Sequence, residues 1–154
     1  IDTTFSSPNA LFRTVEDNFC KEKHSRIMRV SLSSFGFKYG PMVPIDSLYD
    51  VRFLKNPFFV PEFQNKSGLD VEVKEYLKSF KNYDDVLNKV LSLNNWLLQR
   101  YFEEGRSYFN IAVGCTGGKH RSVSFVEDLS DSLKDSLSSN FAVEVFHRDI
   151  RKSI

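Results

Sequence analysis

Cysteine is scarce: the 154 residues hold two, Cys20 and Cys115, far apart and in unlike contexts. That excludes a disulfide framework and fits a reducing compartment, so a cytoplasmic protein is the expectation. Long apolar runs are missing as well. Nothing approaches the ~20 residues needed to cross a bilayer, and no membrane role is expected. The opening Ile1-Asp2-Thr3-Thr4-Phe5 has neither the basic start nor the apolar stretch of a signal peptide, and it has no initiator Met; a fragment of something longer is expected. An excess of either charge is also absent. With 21 Lys and Arg against 20 Asp and Glu the net charge is +1, so no overall field drives the chain onto nucleic acid or an anionic membrane, and any such binding needs a local patch. There is no internal repeat and no low-complexity linker, and no metal is expected.

What is present is a core. Fifteen Phe, six Tyr and one Trp supply large apolar side chains, and a chain of this length buries roughly 70% of its unfolded surface. One soluble domain follows. Leu11, Phe12, Val15 and Phe19 recur at helical spacing between Ser7 and Cys20. Arg26 to Phe35 reads as a strand that ends in Gly36, and Leu48 to Leu54 as a second strand. Asn-Pro, Val-Pro and Ser-Gly pairs mark Lys55 to Leu69 as an ordered loop. Asp70 is placed to cap a helix running to about Phe80. A longer helix from about Tyr83 to Glu104 sets Val86, Val90, Leu93, Leu97 and Tyr101 along one face, and Gly105 ends it. Tyr108 to Val113 is a short strand, Gly114 to Lys119 a loop, His120 to about Leu137 a helix and Phe141 to Phe146 a final strand. Strand, loop, helix and strand make a βαβ unit, so the expected fold is a single α/β layered domain with a largely parallel or mixed sheet and flanking helices. Ligands of such sheets bind at the carboxyl ends of the strands.

One of those ends carries the chemistry. In Gly114-Cys115-Thr116-Gly117-Gly118-Lys119-His120-Arg121-Ser122, glycines allow successive N–H groups to turn inward as a nest, and the helix that follows presents its positive end. Lys119, His120 and Arg121 add charge, with Arg able to hold two phosphate oxygens; Thr116 and Ser122 offer hydroxyl donors. A phosphate or similar anion is the expected ligand. The loop is not a Walker A motif, because His follows Lys119 and Val113 stands where that motif has its first Gly.

The same loop contains Cys115, Gly118, Arg121 and Ser122 at the spacing Cys-x-x-Gly-x-x-Arg-Ser of cysteine phosphatases. There Cys115 would be the nucleophile and Arg121 would brace the phosphate. Gly114 replaces the His that usually precedes the nucleophile, however, and the sequence marks out no general acid. A small buried residue lining the loop is the plainer reading of Cys115.

The segment Gly114 to Val123 closely resembles the signature of the RapZ/YvcJ family of bacterial nucleotide-binding and RNase adapter proteins. Phe35-Gly-Phe-Lys-Tyr-Gly40, Asp50-Val-Arg-Phe-Leu-Lys-Asn-Pro57, Gly68-Leu-Asp70 and His147-Arg-Asp149 resemble the C-terminal domain of that family in the same order. The resemblance implies that residues 1–24 are an inter-domain junction with a short helix and residues 25–154 the C-terminal ligand-binding domain. The family's ATP- or GTP-binding Walker domain has no counterpart here, so no cofactor is expected in this domain. The resemblance further implies a pocket for glucosamine-6-phosphate, self-association, contact with the family's own N-terminal NTPase domain and, in some members, binding of small regulatory RNA together with an RNase.

Four further residues can be weighed on their own chemistry. Asp50 and Arg52 alternate along the expected strand, so the carboxylate could accept from sugar hydroxyl or ammonium groups while the guanidinium meets phosphate; the alternative is a surface ion pair. The resemblance favours the pocket. Tyr108 could cover the ligand, although a strand Tyr more often packs in a core. Lys38 lies beside Tyr39 in a Gly-flanked loop, an arrangement that can engage a phosphate backbone and stack on a base. With Lys119, Arg151 and Lys152 it is the candidate RNA contact. The tail is less basic than in RNA-binding relatives, which weighs against that role.

Overall fold

The computed structural model describes residues 26–152; the expected helix between Ser7 and Cys20, and the junction to which it was assigned, lie outside them. Four strands form one sheet in the order β2-β3-β1-β4, where β1 is Met28–Gly36, β2 is Ser47–Asp50, β3 is Tyr108–Cys115 and β4 is Phe141–His147. Every pairing is parallel. Three helices follow the sequence expectation closely: α1 at Val71–Lys78, α2 at Lys81–Glu103 and α3 at Arg121–Ser136. The chain is therefore a single α/β domain, as its strand and helix order implied. No helix among the described residues is long and apolar enough to cross a membrane.

The period-two pattern of β1 explains its placement. Met28, Val30 and Leu32 are fully buried beneath α3, while Arg29 and Ser31 between them are not. Helix α3 lies against β1, β3 and β4 and buries Val123, Phe125, Val126, Leu129 and Leu133. Helix α2 packs on α3 and touches the sheet through its C-terminal rings, Tyr101 on Phe109 at 5.2 Å and Phe102 on Phe141 at 5.1 Å. Its inward stripe is Tyr83, Val90, Asn94 and Leu98, so Leu93, expected inside, is about half exposed. Asn94 takes an inner position with its Nδ2 donating to the Val90 carbonyl at 2.8 Å and the Tyr49 hydroxyl at 2.9 Å, while its Oδ1 is buried with no partner among the described residues.

Two expectations need correction. The second strand stops at Asp50 instead of continuing to Leu54, because the Asp50 carboxylate accepts from the Arg52 N–H at 2.9 Å and turns the chain. Asp70 does occupy the position before α1, but its side chain makes no cap to the helix. It bonds back to the Ser67 N–H at 2.7 Å and the Ser67 hydroxyl at 2.9 Å.

Candidate anion-binding site

Strand β3 runs two residues further than expected, so Gly114 and Cys115 end the strand and the loop proper is Thr116 to His120. Gly114 lies under the Phe35 and Phe37 rings, where a Cβ would sit 2.5 Å from Phe37. Gly118 has φ +71°, and a Cβ there would meet the Gly36 nitrogen at 2.5 Å. The loop after β3 thus packs backbone to backbone on the end of β1, which only glycine permits at these positions.

Helix α3 starts at Arg121, and the bond from the Ser124 N–H to the His120 carbonyl, 3.0 Å, is the first of its i to i−4 series. The N–H groups of Arg121, Ser122 and Val123 precede it and form the positive end of the helix. Cys115 Sγ accepts from the Gly118 N–H at 3.2 Å and lies 3.2 Å from Ser122 Oγ. This pair of contacts closes the loop into a ring.

Arg121 is buried, yet among the described residues no carboxylate pairs with it. Its Nη1 donates to the carbonyls of Arg52 at 2.6 Å and Leu54 at 3.1 Å, and its Nη2 donates to Thr116 Oγ1 at 3.1 Å. These bonds leave part of the five-donor guanidinium fork open to a ligand. Burial lowers its pKa, opposed by the nearby Cys115 and Asp50, but an arginine stays charged at any physiological pH. His120 is different. Its Nε2 lies 2.9 Å from the Phe63 carbonyl, which can only accept, and burial holds the imidazole below its ordinary pKa. The ring is a neutral anchor for the 57–66 segment rather than a cation for the ligand.

Cys115, Thr116, Gly117, Lys119, His120 and Arg121 line one side of a cavity of about 340 Å³. Lys38 reaches it from a 3₁₀ turn at Phe37–Tyr39, whose first link to the loop is the Lys38 N–H donating to the Thr116 carbonyl at 3.1 Å. Asn56, Phe58 and Phe59 complete the lining. Sequence reasoning missed these three. The available signal was Asn56 before Pro57, a cap residue followed by the residue favoured in a first turn, and Asn56 Oδ1 does accept from the Phe58 N–H at 3.4 Å.

Asp50 and Arg52 come together, but with each other. Arg52 Nη2 and Nε lie 2.6 and 2.9 Å from Asp50 Oδ2, the pair is about half exposed, and the guanidinium stacks on Phe37 at 4.3 Å. Bonding to Arg52 holds the Asp50 carboxyl below its usual range. Neither residue lines the cavity. Tyr108 begins β3, seven residues before Cys115, and so stands about 23 Å away at the opposite end of the sheet. It does not reach the loop. Among the candidate RNA contacts, Lys119 Nζ donates to the Gln64 carbonyl at 3.1 Å, Lys152 pairs with the buried Asp149 at 2.7 Å, and Arg151 is exposed.

The parallel sheet, with a glycine loop and a helix start gathered around a buried arginine at the carboxyl end of β3, defines an α/β domain with a cavity at that end. The chain belongs to the RapZ C-terminal domain family, whose model matches residues 28–151. It is 43% identical over 150 residues, 97% of its length, to a nucleotide-binding protein of Fervidobacterium nodosum. It is 40% identical over its whole length to nucleotide-binding proteins of Caldicellulosiruptor saccharolyticus and Caldicellulosiruptor bescii. In each case the match covers 52% of the relative, so the chain spans about half the length of these proteins.

Proposed function

We propose that this domain is a non-catalytic sensor that binds a phosphorylated amino sugar resembling glucosamine-6-phosphate and reports it to a partner. The observation that carries the reading is the cavity in which the Thr116 to Arg121 loop and Lys38 meet Phe58 and Phe59. Loop amides, the Thr116 hydroxyl and the free part of Arg121 suit a phosphate, while aromatic rings suit the C–H face of a sugar and attract an ammonium group. The cavity size is ordinary for a small-molecule site. Its lining holds no carboxylate, which favours recognition over acid-base chemistry. We assign the nucleotide binding named for the relatives to the part of those proteins outside the match, since the loop here lacks the Walker A pattern.

Thermal shift with glucosamine-6-phosphate, glucose-6-phosphate, inorganic phosphate and ATP tests the reading. At a hundredfold excess over Kd the aminosugar phosphate should raise Tm by roughly 5–10 °C, more than the other ligands, and Arg121→Ala should abolish the shift. Unchanged melting at millimolar concentration contradicts it.

A second reading, contact with structured RNA, draws on one cluster: Lys38 Nζ and Lys152 Nζ lie 5.4 and 4.4 Å from the Tyr39 ring centre, near the exposed Arg151. A gel shift with a structured small RNA across salt concentrations tests it, and no shift at low salt removes it.

A further inference from the structure

Strand β4 leaves the sheet at His147, and the next two residues fold back onto the end of β1. Arg148 spreads over a run of carbonyls, donating from Nη2 to Gly40 at 2.9 Å and from Nη1 to Pro41 at 2.9 Å. These are the carbonyls that end the turn bearing Lys38. Asp149 is fully buried, and its Oδ2 accepts from the Gly36 N–H at 2.8 Å across 113 residues of sequence. Its Cβ lies 3.0 Å from where a Gly118 Cβ would stand. Gly36 in turn packs on Gly117, since a Cβ at Gly36 would approach the Gly117 carbonyl carbon to 2.6 Å. Asp149 therefore touches both halves of the backbone stack that shapes the loop. It also engages Lys152 Nζ at 2.7 Å and Arg148 Nη2 at 2.7 Å.

We propose that Asp149 is a positioning residue of the anion site: it fixes Gly36 against Gly117 and Gly118 and, with Arg148, holds the turn that delivers Lys38, without touching the ligand. This rests on the anion-site reading above. A purely structural aspartate would stabilise the fold without setting ligand affinity, and the two roles separate experimentally. It also gives Lys152 a task other than contacting phosphate, because its charge answers Asp149.

The test uses the whole 154-residue chain, ¹⁵N-labelled, as wild type, Asp149→Asn and Val90→Ala, the last being a core truncation in α2 that lowers stability away from the site. In Asp149→Asn the amide signals of Gly36, Gly117 and Gly118 should move before any ligand is added. Affinity for inorganic phosphate should fall about tenfold, the middle of the range for coupled neighbours. Val90→Ala should leave both unchanged. Should Asp149→Asn not fold, Arg148→Gln, which releases the Gly40 and Pro41 carbonyls, carries the same expectation. Wild-type phosphate affinity in the variant, or unmoved glycine signals, overturns the inference while leaving the anion site standing. A wild type that binds no phosphate removes the anion site and this inference with it.

Discussion

The Arg121 guanidinium is bound to the Arg52 carbonyl oxygen, 2.6 Å from Nη1, so the cation of the glycine loop is tied to the turn that ends β2. Binding and folding share this side chain. Arg121→Ala strips donors from the carbonyls of Arg52 and Leu54, a loss of about 1–3 kcal/mol for buried groups left unmade. Arg121→Lys should keep the charge but not the fork, and recover neither the full stability nor the full anion affinity. Urea denaturation beside a phosphate titration checks both.

Gly118→Ala should destabilise by about 1–3 kcal/mol from backbone strain alone, since φ is +71° and the new Cβ would press on the Gly36 nitrogen at 2.5 Å. The loss should appear as a lower urea midpoint with an unchanged m-value.

Those two glycines show where the sequence was informative. The boundaries of β3, the loop and α3 were legible within about two residues because apolar strand, glycine turn and basic helix start are local signals. Where geometry depends on distant partners, the reading ran out. Strand alternation put Asp50 and Arg52 on one side, but Arg52 lies beyond the strand end, and the pair satisfies itself. Tyr108 was right as a strand residue, but it begins the strand whose far end carries the loop, so the two lie at opposite ends of the sheet. Phe58 and Phe59 lay inside the expected Lys55 to Leu69 loop with nothing to single them out; the segment that carries them is held by His120 and Lys119 at the 63 and 64 carbonyls. Lys38, weighed for RNA, also lines the cavity.

Acid should loosen the fold in two stages. Burial lowers the His120 pKa below 6.5, so below about pH 6.5 the unfolded chain binds the proton first. Stability is therefore full above that pH and declines as pH falls toward the folded value. For Asp149, burial pushes the carboxyl up, but the bonds from Arg148, Lys152 and Gly36 outweigh it and hold the pKa below 3.8. Its contribution is lost only below that value. His120→Gln, which can still donate to Phe63, should flatten Tm between pH 5 and 7; an unchanged slope would refute the assignment.

Cys115 Sγ is buried, 3% exposed, and occupied by the Gly118 N–H and the Ser122 hydroxyl. With no carboxylate in the cavity lining to protonate a leaving group, the wild type should not hydrolyse p-nitrophenyl phosphate above the buffer rate, and Cys115→Ser should still bind phosphate. Turnover in the wild type that disappears in Cys115→Ser would instead establish a cysteine phosphatase.

The most direct measurement is an amide chemical-shift titration of the ¹⁵N-labelled chain with glucosamine-6-phosphate. Saturable shifts should concentrate at Thr116, Gly117, Lys119 and His120, with Tyr108 silent at the far end of the sheet and Arg121→Ala losing the response. Shifts centred elsewhere, or none at millimolar ligand, would contradict the proposed site.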